Sequence, residues 1–324
     1  MILITGGAGF IGSNLQASLA AAGLETVVVD WLGTEGKWRN LALHSPSRIV
    51  NPEDLDYFLA DHPPIEMVFH LGAISATTAT DGDETWQTNV ELSLKLWHWC
   101  AARGARFVYA SSGATYGNGA EGFDDDPGRI ARLRPLSLYG WTKHAFDMAV
   151  LRMAANGERR PPQWAGLKFF NVYGPNEYHK GSMVSVVKVK YDEIAKGGPA
   201  RLFKSDVPGL ADGDQRRDFI HVDDVVDVMM WLREAPNVSG IFNVGTGGSR
   251  TYRDLAHAVC DAAGKPRGIE YIDMPVHLRG QYQSYTEASI ERLRAAGYCG
   301  QFTPLEEGVR RYVQDYLMKA DIYR

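Results

Sequence analysis

The 324-residue chain is 45% apolar and 11% aromatic with no long low-complexity run, which excludes wholesale disorder and supplies a large core for up to two modest domains. A net charge of −5 with scattered basic residues leaves no stripe for nucleic acid or an anionic membrane, so neither partner is expected. Cys100, Cys260 and Cys299 stand far apart, and neither they nor the nine histidines show a metal-ligand spacing; reduced thiols and no metal are expected.

The N-terminal run MILIT reads as a strand that passes straight into glycines. No basic leader and no membrane-length apolar stretch precedes or follows, so a cytoplasmic protein is expected. The turn TGGAGFIGSN then opens a helix through LQASLAAAG, with Gly23 as its C-terminal cap. Gly7, Gly9 and Gly12 fit G-x-G-x-x-G, while Gly6, Gly9 and Gly12 give a wider spacing. Glycine permits positive φ and lets backbone amides approach a pyrophosphate at the helix N-terminus. In a strand–turn–helix context this predicts a dinucleotide site.

The next strand, ETVVVD, ends on Asp30, whose carboxylate suits the adenosine ribose and by itself favours NAD. Lys37 and Arg39 follow in GTEGKWRN. Either cation pairs with a ribose 2′-phosphate, or both are ordinary solvated charges; the residues alone leave this open.

Further apolar runs, MVFHLGA, RFVYASS, LKFFNVYG and GIFNVGTG, alternate with helical patterns. The expected fold is α/β, a doubly wound parallel sheet of the Rossmann type with a smaller, mixed α/β lobe. We expect the sheet domain to take 1–170 plus about 220–247 and the smaller lobe 171–219 plus 248–324. Trp97 and Trp99, in LWHWC, read as core or subunit-contact residues. The acidic loop with Asp212, Asp214 and Asp218 lacks calcium-ligand spacing and reads as solvated.

In SLYGWTKHAFD, Tyr139 and Lys143 lie four apart and share one helix face. An ammonium beside a phenol favours the phenolate, which can then exchange a proton with an alcohol. Tyr-x-x-x-Lys alone is common. With Ser112 in ASSGATYG, at a strand end where it can bond the same oxygen, the set becomes specific. In YHKGSM, Lys180 is either a second proton carrier or a clamp for a diphosphate, and His179 reads as structural.

The pieces TGGAGFIGSN, HLGAIS, SSGATYG, YGWTK, FNVYGP, RRDFIHVDD and FNVGTG together resemble the extended short-chain dehydrogenases/reductases, the NAD-dependent epimerase/dehydratase family that acts on nucleotide sugars. HLGAISATTATDGD, FFNVYGPNEYHKGSMVSV, RGQYQSYTEA and LRAAGY are similar to its branch that inverts carbon 6 of an ADP-linked heptose. The resemblance implies an isomerase using NADP, with NAD possible, a homo-oligomer, and a role in supplying heptose for lipopolysaccharide.

It implies Tyr139, Lys180, Lys143 and Ser112 as catalytic residues. Cofactor contacts carried over are Gly6, Gly9, Phe10, Ile11 and Gly12 in the turn, then Asp30, Trp31 and Lys37. Leu71, Gly72, Ala73, Ile74 and Ser75 follow, with Asn89, Val172, Lys143 and Lys180. Implied substrate contacts are Ser112, Asn171, Ser182 and Val189, the run Phe203, Lys204, Ser205 and Asp206, then Arg217 and Tyr282. Arg217 suits a diphosphate because its fork binds two oxygens, with an ion pair to Asp218 or Asp223 as the rival reading. Two departures bear on fine specificity: Val189 stands where that branch carries a histidine, and the loop KSDVPGLADGDQ is longer. A 4-epimerase or dehydratase of the same family is the alternative. A dehydratase normally needs an acid just after Ser112, where this chain has Gly113, Ala114 and Thr115. A dinucleotide-binding sensor without turnover is a third reading, opposed by the intact Ser112, Tyr139 and Lys143.

Overall fold

The computed structural model describes residues 1–61, 63–275 and 283–324. Its strands are β1 (Ile2–Thr5), β2 (Thr26–Val29), β3 (Arg48–Val50), β4 (Met67–His70), β5 (Arg106–Ser112), β6 (Trp164–Phe169), β7 (Asn171–Tyr173), β8 (Ala200–Phe203), β9 (Arg216–Arg217), β10 (Phe219–His221), β11 (Gly240–Val244), β12 (Arg250–Thr251) and β13 (Ile269–Ile272). Seven of them form one sheet in the order β11-β6-β5-β4-β1-β2-β3, every pairing parallel.

Helices α1 (Phe10–Ala21), α2 (Leu55–Ala60), α3 (Gly82–Trp86), α4 (Leu92–Arg103), α5 (Pro127–Ile130), α6 (Leu138–Ala155), α7 (Val186–Ala195), α8 (Val222–Glu234) and α9 (Tyr252–Ala262) follow in chain order. Two apolar clusters sandwich the sheet. One joins Leu3, Trp97 and Phe107 to α4 and α6, and the other joins Ile4, Leu15 and Met229 to α1 and α8. Burial of β1, β2 and β4 on both faces explains their unbroken apolar runs.

Two strands differ from the sequence reading. The three-residue β3 is too short and too exposed to have shown an apolar run. The segment LKFFNVYG is not one strand: β6 ends at Phe169, and β7 leaves the main sheet to pair with β10.

A third cluster, including Tyr173, Val187, Leu202, Val259 and Tyr312, gathers α7, α9 and the segment Leu305–Leu317 away from the sheet. Ala288, Leu293 and Tyr298 instead pack on the two sheet clusters, although the expected division assigned them to the smaller lobe. Asp218 is not solvated as expected. It is wholly buried and accepts hydrogen bonds from Thr246 N, Thr246 Oγ1, Gly247 N and Ala288 N. Trp97 is wholly buried; Cys100 and Cys260 are buried and Cys299 is exposed.

Candidate active site

The strand order turns between β1 and β4, so their C-terminal ends open a crevice, the usual ligand position in such sheets. A cavity of about 810 Å³ occupies it. Here the glycines are required by close approach. Gly6 has φ +67, and a Cβ there would sit 2.6 Å from Gly72 Cα; a Cβ on Gly12 would lie 2.2 Å from the Gly6 carbonyl oxygen. Helix α1 thus begins directly at the crevice, with Gly9 as N-cap and no side chain capping it. Such a cradle fits a dinucleotide pyrophosphate.

Asp30, just past β2, accepts a hydrogen bond from Ala8 N at 2.9 Å and an ion pair from Lys37 Nζ at 2.6 Å. The carboxylate therefore ties the glycine turn to β2 and carries its own cation, where the sequence reading had it facing a ribose alone. Trp31, Lys37 and the run Leu71 to Ser75 also line the cavity, as do Phe10, Ile11 and Val172. Asn89 does not reach it. It lies wholly buried beneath that run, exchanging hydrogen bonds with Ile74 N and O and donating to Thr142 Oγ1.

At the end of β5, Ser112 Oγ accepts from Ala114 N, leaving its proton for the phenol oxygen of Tyr139, with which it is hydrogen-bonded. Gly140 makes this meeting possible: a Cβ there would stand 2.8 Å from the Ala114 carbonyl, so α6 presses directly on the turn after β5. The sequence reading had Lys143 drawing the Tyr139 phenol down. In the folded chain, burial instead pushes that phenol up, opposed by the Ser112 bond and reinforced by the Asp147 anion. Burial pulls Lys143 down to about 8, with Asp147 resisting. One turn beyond Lys143, Asp147 is wholly buried and receives Tyr109, Ser111 and Lys168.

Lys180 enters from the segment Tyr178–Met183. Its ammonium lies 5.1 Å from the Phe10 ring centroid, at the start of α1, and burial lowers its pKa. His179 also lines the cavity. Burial, then Lys37 and Lys180, lower it to about 4, so the ring is neutral.

Ser112 and Asn171 line the cavity, whereas Ser182 and Val189 do not. Phe203 to Asp206 also lie outside it. Lys204 Nζ pairs with Asp273 at 3.0 Å, and Ser205 N is held by Asp212. Arg217 is buried, donates to Arg216 O and lies 5.6 Å from the Tyr252 ring centroid. Tyr282 is outside the described residues. Met183 to Val187, Gln87, Thr88 and Thr286 line the cavity without having been singled out; only Ser185, three before Lys188 at a helix start, carried a readable capping signal. Among the described residues, no group of three His, Cys, Asp or Glu side chains is placed to hold a metal.

Residues 2–245 match the model of the NAD dependent epimerase/dehydratase family. The chain is 49% identical over 325 residues to ADP-L-glycero-D-manno-heptose-6-epimerase of Nitratidesulfovibrio vulgaris (strain DP4), covering 99% of both. The crystal structure of the Helicobacter pylori enzyme of that name superposes with a TM-score of 0.80 at 28% identity, over 97% of this chain and 95% of that one. The UDP-glucose 4-epimerase of Thermus thermophilus, in complex with NAD, gives 0.76 at 30% identity over 97% of each.

Proposed function

The chain belongs to the NAD dependent epimerase/dehydratase family, and from that premise we propose that it interconverts ADP-D-glycero-D-manno-heptose and ADP-L-glycero-D-manno-heptose at carbon 6, with Tyr139 and Lys180 as its proton carriers. The observation that carries the proposal is the placement of two half-buried titratable side chains, from separate segments, around the cavity that the glycine turn also lines.

Carbon 6 of the heptose is not adjacent to a carbonyl, so its C–H is not acidic and simple deprotonation cannot invert it. A nicotinamide dinucleotide bound at the glycine turn supplies a reversible acceptor for the hydride of that carbon. Tyr139, steadied by Ser112, exchanges the hydroxyl proton on one side as the transient 6-ketone forms. Presenting the opposite face of the ketone moves its oxygen, and Tyr139 cannot follow. Lys180 then exchanges the proton from its own segment. A lowered pKa suits it to that task, because a neutral amine is available nearer to neutral pH. Lys143 remains beside the tyrosine as the second member of that pair.

Lys37, poised beside Asp30 at the cavity wall, supports NADP as the preferred form, because a cation there receives a 2′-phosphate. The segments 171–219 and 248–324 are taken as the half that holds the nucleotide sugar. No helix among the described residues is long and apolar enough to cross a membrane. A cytoplasmic homo-oligomer, resting on the family resemblance, belongs to the same proposal.

The test is incubation of the purified protein with ADP-D-glycero-D-manno-heptose in D₂O, followed by proton NMR at carbon 6. Conversion to the L-glycero form with no solvent deuterium at that carbon is expected. An unchanged heptose alongside conversion of UDP-glucose to UDP-galactose overturns the substrate assignment.

A further inference from the structure

We propose that Glu177 is the positioning residue for Lys180, its buried carboxylate closing the base of the loop that carries the ammonium into the cavity. The inference rests on the two-carrier reading above and deepens it.

Glu177 is wholly removed from solvent. Its backbone carbonyl accepts from Lys180 N at 3.1 Å, fixing the start of the turn. Its side chain reaches across the same turn to Ser185, accepting from the Ser185 backbone N–H and, at 2.6 Å, from the Ser185 hydroxyl. Ser185 in turn caps α7, its Oγ accepting from Lys188 N at 3.3 Å, so its one hydroxyl proton is available for Glu177. A third donor, Tyr312 OH, comes from the C-terminal segment at 2.9 Å. Burial pushes this carboxyl up; the three donors and the Lys180 ammonium oppose it, favouring the anion, and the donors lock its rotamer.

The consequence for Lys180 is both geometric and electrostatic. Residues 178–184 form a short loop whose two ends are joined through one side chain, with Gly181 at φ +55 supplying its sharp bend. Lys180 projects from this clamped loop towards the Phe10 ring at the head of α1. The Glu177 anion behind it is the charge that opposes burial and favours the ammonium form. His179 stands beside Lys180, with Lys37 and Asp30 acting on the imidazole, and Tyr139 and Lys143 line the same cavity. Behind Glu177 stand Tyr312 and, stacked on it at 6.5 Å, Tyr178, with Tyr316 acting on the latter. Apart from Glu177, the only anion among these groups is Asp30, which is already paired with Lys37.

The test compares kcat–pH profiles for epimerisation of ADP-D-glycero-D-manno-heptose by wild type, Glu177→Gln, Lys180→Met and the double variant. Glu177→Gln is expected to move the limb that Lys180→Met abolishes to lower pH by about one unit, because removing the anion disfavours the ammonium. The double variant is expected to be no slower than Lys180→Met, since Glu177 acts through Lys180. Ser185→Ala removes one donor and leaves the carboxylate in place; it is expected to lower kcat in wild type but not in the Lys180→Met background, and carries the test if Glu177→Gln does not fold. An unmoved limb, or losses that multiply in the double variant, overturns the proposal. Wild-type kcat in Lys180→Met overturns the two-carrier reading itself.

Discussion

Lys168 Nζ lies 2.6 Å from Asp147 Oδ2, and both side chains are wholly removed from solvent. This pair underlies the Tyr139–Lys143 face, because Asp147 sits one turn past Lys143 on α6 and its anion raises both Lys143 and Tyr139. Breaking one side of a buried ion pair strands the other charge. Lys168→Met is therefore expected to destabilise the fold by about 3–5 kcal/mol, read as a shift of the urea unfolding midpoint. Asp147→Asn is expected to lower Lys143 below its present value of about 8, moving any kcat limb that Lys143 controls to lower pH.

Ser112 donates the hydrogen bond that favours the Tyr139 phenolate against burial. Removing it leaves burial less opposed and pushes the phenol further up. Ser112→Ala should move the Tyr139-dependent limb of the kcat profile to higher pH and slow turnover at neutral pH; an unshifted limb contradicts this role.

The dinucleotide cradle tolerates no Cβ at Gly12, where the Gly6 carbonyl oxygen would be 2.2 Å away. Gly12→Ala must push α1 off the glycine turn, at a cost of about 1–3 kcal/mol. The expected outcome is a lower thermal midpoint together with weaker dinucleotide binding by fluorescence titration. Gly23→Ala is the control, because nothing lies within 4 Å of a Cβ there and any loss, from its φ of +70, should affect stability without affecting binding.

Lys37→Ala removes the cation next to Asp30 and leaves that carboxylate facing the ribose. A hydrogen bond to a charged group contributes about 1.5–3 kcal/mol, so NADP+ affinity should fall roughly 10- to 150-fold. NAD+ affinity should change far less. Calorimetric titration of both dinucleotides measures the ratio.

His70 is buried between Thr5 Oγ1 and Ser93 Oγ, 2.7 and 2.8 Å from its two ring nitrogens, and burial lowers it to about 3. The unfolded chain, with an ordinary histidine near 6.5, takes up this proton first. Stability linked to the ring is thus present above about pH 6.5 and is lost as pH falls towards 3. A His70→Gln variant should show a shallower decline of the urea midpoint over that interval than wild type.

Much of this was legible because the chemistry is local in sequence. The glycine turn, Tyr139–Lys143 and the β1, β2 and β4 runs announce themselves within a dozen residues each. The cavity contacts of Met183–Val187 were not legible, since they arise only when a loop folds over the head of α1. Lys204 and Arg217 meet partners that their residue types do not announce: Asp273 pairs with the first, and the Tyr252 ring lies beside the second. Asn89 braces the Leu71–Ser75 loop through Ile74 N and O, a contact that no residue pattern announces.

The most direct test of the central claim is the epimerisation rate of ADP-D-glycero-D-manno-heptose, followed by proton NMR, for Tyr139→Phe and Lys180→Met. Two proton carriers around one cavity predict that each substitution alone slows turnover by about 100-fold or more, with dinucleotide still bound. Wild-type turnover in either variant contradicts the account.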